Sequence, residues 1–376
     1  MNIARRPLLI GAAAAAMLGG TKRANAAPVV TVPIRLTDDR VLIEATFGGG
    51  RAFLLALDTG GQMGLINTGI AETLNLTKVG ARRLKLSFGH TDYPIFQAKN
   101  VMLGERLRLE TLEMGGIDRD LGDGAIGSLP AWVLTLADGE VDFDAGVWRA
   151  HGAGLPALSG ATRFDKGIVQ KGATADKKFL FADAALNGRS FRFGLDTGMP
   201  SVMRIYRKTA EAAGLWNAPR WSPAAPQGKT RMVRVDRLEL AGATVEGAVI
   251  QMRDAVDWEE FDTGIIGLPI LRLFNIATSN RDGALFLTRN RQAPQPARYN
   301  RAGLWVDRAG SGMVAGVVGA GSPAEKAGIK AGDRLSGMRF EELIRQTSGQ
   351  VGTVLPLTVG QGGAARQVSL VLADYL

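Results

Sequence analysis

The sequence predicts a mainly β protein of two matching lobes, followed by a smaller module of a different kind. The tripeptide Asp-Thr-Gly recurs at Asp58-Thr59-Gly60 and Asp196-Thr197-Gly198. Each copy closes an apolar run of strand character, Phe53-Leu54-Leu55-Ala56-Leu57 and Phe191-Arg192-Phe193-Gly194-Leu195. Glycine fills 49 of 376 positions, about 13% against an average of ~7%, which favours turn-rich β architecture over helix. Beyond residue 290 the repeat stops, and Pro294 and Pro296 among polar and basic residues mark a linker, residues 291–302.

The chain opens with Arg5-Arg6, an apolar stretch from Leu8 to Gly20, and Ala24-Asn25-Ala26 as a small-x-small cleavage site. This pattern predicts a signal peptide over 1–26 and a periplasmic or secreted mature protein; the arginine pair allows the twin-arginine route. The apolar run is shorter than the ~20 residues that span a bilayer. With no cysteine for a lipid anchor or a disulfide, the sequence predicts no stable membrane anchor after cleavage.

The two tripeptides lie 138 residues apart, and other features fall into step at that offset, as an internal repeat requires. Helical spacing follows each, from Ile66 to Leu76 and from Val202 to Leu215, with Gly214 as a stop. Val101-Met102-Leu103-Gly104 answers Leu238-Glu239-Leu240-Ala241-Gly242, and Met114 answers Met252. Next, Ala125-Ile126-Gly127 answers Ile265-Ile266-Gly267 with a drift of two residues. Each half ends in a turn and strand, Asp142 to Trp148 and Asn280 to Phe286. A third copy, Asp262-Thr263-Gly264, falls outside the parity of the repeat and is set aside as a catalytic candidate.

The paired Asp-Thr-Gly and apolar-apolar-Gly elements resemble the pepsin and retropepsin superfamily, in its bacterial single-chain form, over roughly residues 28 to 290. The resemblance implies two double-ψ β-barrel lobes with short helices, over 27–152 and 153–290. It implies that Asp58 and Asp196 are the catalytic pair, that Thr59 and Thr197 hydrogen-bond across to the opposite loop, and that Gly60 and Gly198 let backbone amides approach the carboxylates. It further places Ile126-Gly127 beside Asp58 and Ile266-Gly267 beside Asp196. A flap hairpin would carry its tip at Phe88 to Tyr93, with Tyr93 or His90 as a substrate contact and Gln227-Gly228-Lys229 as the counterpart. Two carboxylates that share a proton can activate water and protonate a carbonyl, so no metal or cofactor is needed. One departure stands out: Gly61-Gln62 and Met199-Pro200 occupy positions where the family has a small hydroxyl or Ala. It keeps open an inactive, peptide-binding adaptor as the alternative to an aspartic endopeptidase.

The last segment contains Ser322-Pro323-Ala324-Glu325-Lys326-Ala327-Gly328-Ile329, continued by Gly332-Asp333-Arg334-Leu335. Ser322 reads as an N-cap, Glu325 as its capping-box partner and Gly328 as the stop. The string resembles a bacterial PDZ domain, which implies a domain over 303–376 that binds a peptide C-terminus. Ala302-Gly303-Leu304-Trp305 would form its carboxylate loop.

Other chemistries find little support. The formal charge of +9 is scattered, and Arg5, Arg6, Lys22 and Arg23 of the leader supply four of it; no basic run interleaved with aromatics points to nucleic acid. His90 and His151 lack a nucleophile motif and the spacing of a zinc site. His151 lies in a Gly-rich connection. The acidic group Asp254, Asp257, Glu259 and Glu260 lacks the ligand spacing of a cation loop and reads as solvated. A two-carboxylate glycosidase would leave the repeated Thr and Gly without purpose.

Overall fold

In a computed structural model the chain is mainly β with short helices. The described residues are 29–86, 89–170, 178–256, 259–310, 312–361 and 364–376. The expected signal peptide, Phe88 and Asp257 lie outside them. Among the described residues, no helix is long and apolar enough to cross a membrane.

Both Asp-bearing strands lie inside their halves. In Ala52–Asp58 the residues Leu55, Ala56 and Leu57 are buried, and in Arg189–Asp196 so are Phe193 and Leu195. Continuous apolar runs of this kind suit strands covered on both faces. Each strand is flanked by an antiparallel neighbour, Val41–Phe47 in the first half and Lys178–Leu186 in the second. A short helix then follows each tripeptide, Thr68–Thr73 and Arg207–Ala212. Asn67 caps the first by accepting from Ile70 N–H (3.1 Å). Gly214 lies beyond the second at φ +72°, the left-handed conformation that suits glycine after a helix.

Strand crossing is the same in both halves. Ala52–Asp58 runs parallel to Ala125–Pro130, which lies antiparallel to Gly64–Asn67, itself parallel to Leu107–Ile117. In the second half Arg189–Asp196, Gly264–Gly267, Met203–Tyr206 and Val249–Arg253 repeat the arrangement.

The ladder registers correct the equivalences drawn from sequence. Ile66 lies opposite Gly127, and Ile205 opposite Gly264. Likewise Leu57 lies beside Leu129, and Leu195 beside Ile266. The counterpart of Gly127 is therefore Gly264, the glycine of the discarded third tripeptide, and Gly267 matches Pro130. A Cβ on Gly127 would meet Leu65 O, and one on Gly264 would meet Arg204 O, each well inside contact distance. Only glycine lets those strands cross so closely. Gly267 does pair with Asp196, but Gly127 pairs with Leu55, so Ile126-Gly127 lies along the strand and Pro130 takes the place beside Asp58. Met114 and Met252 are also not equivalent: Met252 faces Ile205, whereas Gly116 faces Ile66.

The halves are joined by main chain. Phe274–Ser279 of the second half pairs with Asp138–Asp142 of the first, Ile276 facing Val141, within one thirteen-stranded sheet. The remaining second-half strands form a ten-stranded sheet, and one apolar core runs through both halves.

After residue 290 the chain crosses the first half, where Arg298 pairs with Asp38 (2.7 Å) and Asp39 (3.0 Å). A five-stranded sheet with two short helices follows, with its own core around Leu304, Leu343 and Leu357. The helix Pro323–Lys326 is capped by Ser322 Oγ, which accepts from Glu325 N–H (3.2 Å), while the Glu325 carboxylate accepts from Gly321 N–H (2.8 Å). The sheet docks on the second half through Trp221 N–H to Ala320 O (3.2 Å), Tyr375 OH to Trp221 O (3.0 Å) and Arg234 to Leu376 O (2.7 Å).

Candidate active site

The two Asp-Thr-Gly turns meet where the halves face each other. Thr59 and Thr197 are fully buried and bond reciprocally: Thr59 N–H donates to Thr197 Oγ1 (3.2 Å), and Thr197 N–H to Thr59 Oγ1 (3.0 Å). Each hydroxyl then donates onward, Thr59 to Leu195 O and Thr197 to Leu57 O, both at 2.7 Å. Four bonds thus fix one Asp strand against the other.

This lattice brings the carboxyl groups of Asp58 and Asp196 into a mutual hydrogen bond. Glycine is required around them. A Cβ on Gly60 would lie 2.5 Å from Asp196 Oδ2, and one on Gly198 2.6 Å from Asp58 Oδ1. Main-chain amides also support the acids: Gly198 N–H donates to Asp196 Oδ1 (2.8 Å), and the amides of Gly60 and Gly61 donate to Asp58. Support therefore comes from backbone, with Gly61 and Met199 directly after the two tripeptides.

Burial pushes Asp58 up to about 8, helped by the charge of Asp196 and the hydrogen bond to it, and opposed by the amides of Gly61 and Gly60. Burial raises Asp196 as well, but Gly198 N–H, the Asp58 carboxyl and the charge of Arg204 oppose it. Both acids are thus raised, and they titrate as a unit that shares a proton.

Above the carboxylates lies a cleft of about 300 Å³. One wall is apolar, with Phe179, Phe261 and Ile265, and another comes from Leu84 and Leu86 of the strand Thr77–Leu86, one arm of a long hairpin. Gln62 Nε2 donates to Glu260 Oε1 (2.6 Å), closing a bond between the halves along the cleft.

Not every expected residue arrives here. Tyr93 sits down the hairpin opposite Arg82, exposed His90 faces Lys85, and neither lines the cleft. The hairpin is long enough that Leu84 to Leu86 reach the site instead. Gln227-Gly228-Lys229 faces away, with Gly228 against Val317 of the C-terminal sheet. Asp262 is exposed and outside the cleft. His151 is buried near Glu140 (3.5 Å). Of the acidic group, Asp254 pairs with Arg207, and Glu260 belongs to the cleft. Among the described residues no cluster of His, Asp or Glu could hold a metal ion.

In the C-terminal sheet, Ala302 and Leu304 are buried and the loop amides already have acceptors. Ala302 N–H donates to Thr347 O (3.1 Å) and Gly303 N–H to Asn300 Oδ1 (2.9 Å), with Leu304 N–H 3.5 Å from the same oxygen. Trp305 is half-buried, its Nε1–H donating to Asp307 Oδ1 (3.0 Å).

Arg204, Gln62 and Glu260 were not foreseen as cleft residues. The one signal for Arg204 was a charge inside the apolar run Met203-Arg204-Ile205-Tyr206.

No protein-family model matches the chain, and no curated protein does. Among solved structures, the crystal structure of an aspartic proteinase from Irpex lacteus is similar, at 13% identity and a TM-score of 0.46, over 70% of this chain and 98% of that one.

Proposed function

We propose that the protein is an aspartic endopeptidase, hydrolysing peptide bonds with a water activated between Asp58 and Asp196. The observation that carries this reading is the hydrogen-bonded carboxyl pair at the floor of a cleft between two matching halves. Ionised Asp196 takes a proton from the water as its oxygen attacks the peptide carbonyl carbon. Asp58 gives its proton to the carbonyl oxygen, so the tetrahedral intermediate is a neutral diol. Collapse returns one hydroxyl proton to Asp58 while the proton on Asp196 passes to the leaving nitrogen, and the C–N bond breaks. The pair ends as it began, with one proton. Main-chain amides around both acids are fixed before substrate arrives, so little reorganisation accompanies the charge transfer.

The C-terminal sheet, read as a PDZ domain, gathers polypeptide for the cleft. Residues 1–26, read as an export signal, place this activity in the periplasm or outside the cell.

The test uses protein lacking residues 1–26, with β-casein as substrate from about pH 3 to about pH 9 and products read by mass spectrometry. Cleavage that is lost in both Asp58→Asn and Asp196→Asn, and blocked by a statine-type inhibitor, supports the reading. Full activity in either variant refutes it.

A further inference from the structure

A second cavity, about 670 Å³ in volume, lies where the C-terminal sheet meets the second half. One side is the strand Leu304–Ala309, an outer strand of its sheet that pairs with Gly312–Val318 alone among the described residues. Above it stands the helix Phe340–Gln346, whose Ile344 is 41% exposed and points its apolar surface into the cavity. Met232 and Val249 of the second half form the opposite side, and Tyr299 lines it as well. Arg308 lies over the Phe340 ring (4.1 Å) and pairs with Glu341, so strand and helix are held apart at a fixed spacing. The result is an apolar groove beside an unpaired strand edge, the form that accepts an extended peptide as an added strand.

Two facts select the occupant. Pro200 and Ser201 line both this groove and the carboxylate cleft, so a chain lying across Asp58 and Asp196 continues over that ridge into the groove. Gln251 anchors the ridge: its Nε2 donates to Ser201 Oγ (2.9 Å) and its Oε1 accepts from Arg204 Nε (3.3 Å) in the cleft wall. Meanwhile the amides of Ala302 and Gly303, where a terminal carboxylate would dock, are bound to Thr347 O and Asn300 Oδ1. A free C-terminus would have to displace them.

We infer that the groove binds an internal, extended, apolar stretch of the same polypeptide that is cut at the two aspartates, added as a strand to Leu304–Ala309. This rests on the endopeptidase reading and narrows it. The substrates are long, unfolded chains, cut at a set distance from an apolar segment, and a short peptide that fills only the cleft forgoes the second contact.

Ile344→Asp places a charge in the groove at an exposed position, away from both aspartates. With β-casein the KM rises about tenfold and kcat holds, the size expected when one apolar anchor of an interface is lost. A short peptide spanning one casein cleavage site is cut at the wild-type rate. Binding is read separately, by fluorescence anisotropy of labelled β-casein on the Asp196→Asn protein. There Ile344→Asp again weakens Kd about tenfold, whether or not the dyad hydrolyses peptides. Unchanged Kd and KM in Ile344→Asp overturn the inference and leave the dyad reading untouched. Full hydrolysis by Asp196→Asn overturns the dyad reading while the anisotropy still scores the groove. Stronger competition by random peptides with free C-termini than by the same peptides amidated shows a terminus as the occupant and overturns the inference. So does a dimer in sedimentation that Ile344→Asp dissociates, since the groove then holds a second copy.

Discussion

The first half has Leu65 where the second has Arg204, although the ladders around them match strand for strand. Apolar on one side and cationic on the other, the two positions give identical tripeptides different electrostatics. The charge of Arg204 favours ionised Asp196, and Asp58 has no cationic counterpart, so a symmetric scaffold gives its two acids unequal surroundings. Two like acids held this close share one proton even in identical surroundings, so the unlike neighbours bias where that proton rests and do not create the sharing.

The comparison breaks most plainly at the acids themselves. Asp58→Asn and Asp196→Asn should each cut β-casein hydrolysis by about 10⁴-fold, the upper range for losing a positioned acid or base. A gap of more than about tenfold between them would mean unequal duties.

Next come the two crossing glycines. Gly127→Ala and Gly264→Ala each press a Cβ onto a strand carbonyl, of Leu65 and Arg204, and should each cost about 1–3 kcal/mol in urea denaturation, Gly264→Ala the more because its φ of +146° also disfavours a side chain. A neutral Gly127→Ala would undo the equivalence drawn from the registers.

Asp58 sets the alkaline side of the profile. With its carboxyl at about 8, kcat/KM should fall as pH rises through that value and the shared proton leaves. Stability follows the same group. A carboxyl raised on folding binds more protons in the folded state than in the unfolded one, so stability falls as pH climbs from the ordinary carboxylate range to about 8. Asp58→Asn removes that loss. It should melt higher than wild type at about pH 9 and little differently below about pH 4.

The smallest effect should come from exchanging the unlike pair. Arg204→Leu copies the first half into the second and should move the acid limb of kcat/KM to higher pH, because Asp196 loses a charge that favours its ionised form. Leu65→Arg should move the alkaline limb to lower pH. A uniform drop in rate with both limbs in place would mean that Arg204 only supports the loop through Gln251.

Much of this site could be read from sequence, because the chemistry fixes residue identity there. On the proposed reading Asp58 and Asp196 must be acids, and Gly60 and Gly198 can be nothing larger. Register was harder. A bulge between Leu54 and Leu55, and the additional residue between Asp196 and Ile205 relative to Asp58 and Ile66, shift the ladders without leaving a mark in composition. The apparent match of Gly127 to Gly267 therefore followed the letters and missed the geometry. Tyr93 was misplaced for a related reason: an aromatic near a turn looks like a flap tip, but the strand pairing puts it opposite Arg82. The groove was invisible, since its walls come from segments that are far apart in the chain and meet only after folding.

The shared ladder at Ile276 and Val141 carries a further consequence. Each half is the other's edge protection. Produced separately, either would present a bare row of amides and carbonyls inside an apolar setting, a template for pairing with more of its own kind. The lobes are thus mutually dependent: removing one leaves the other with an open edge prone to aggregation.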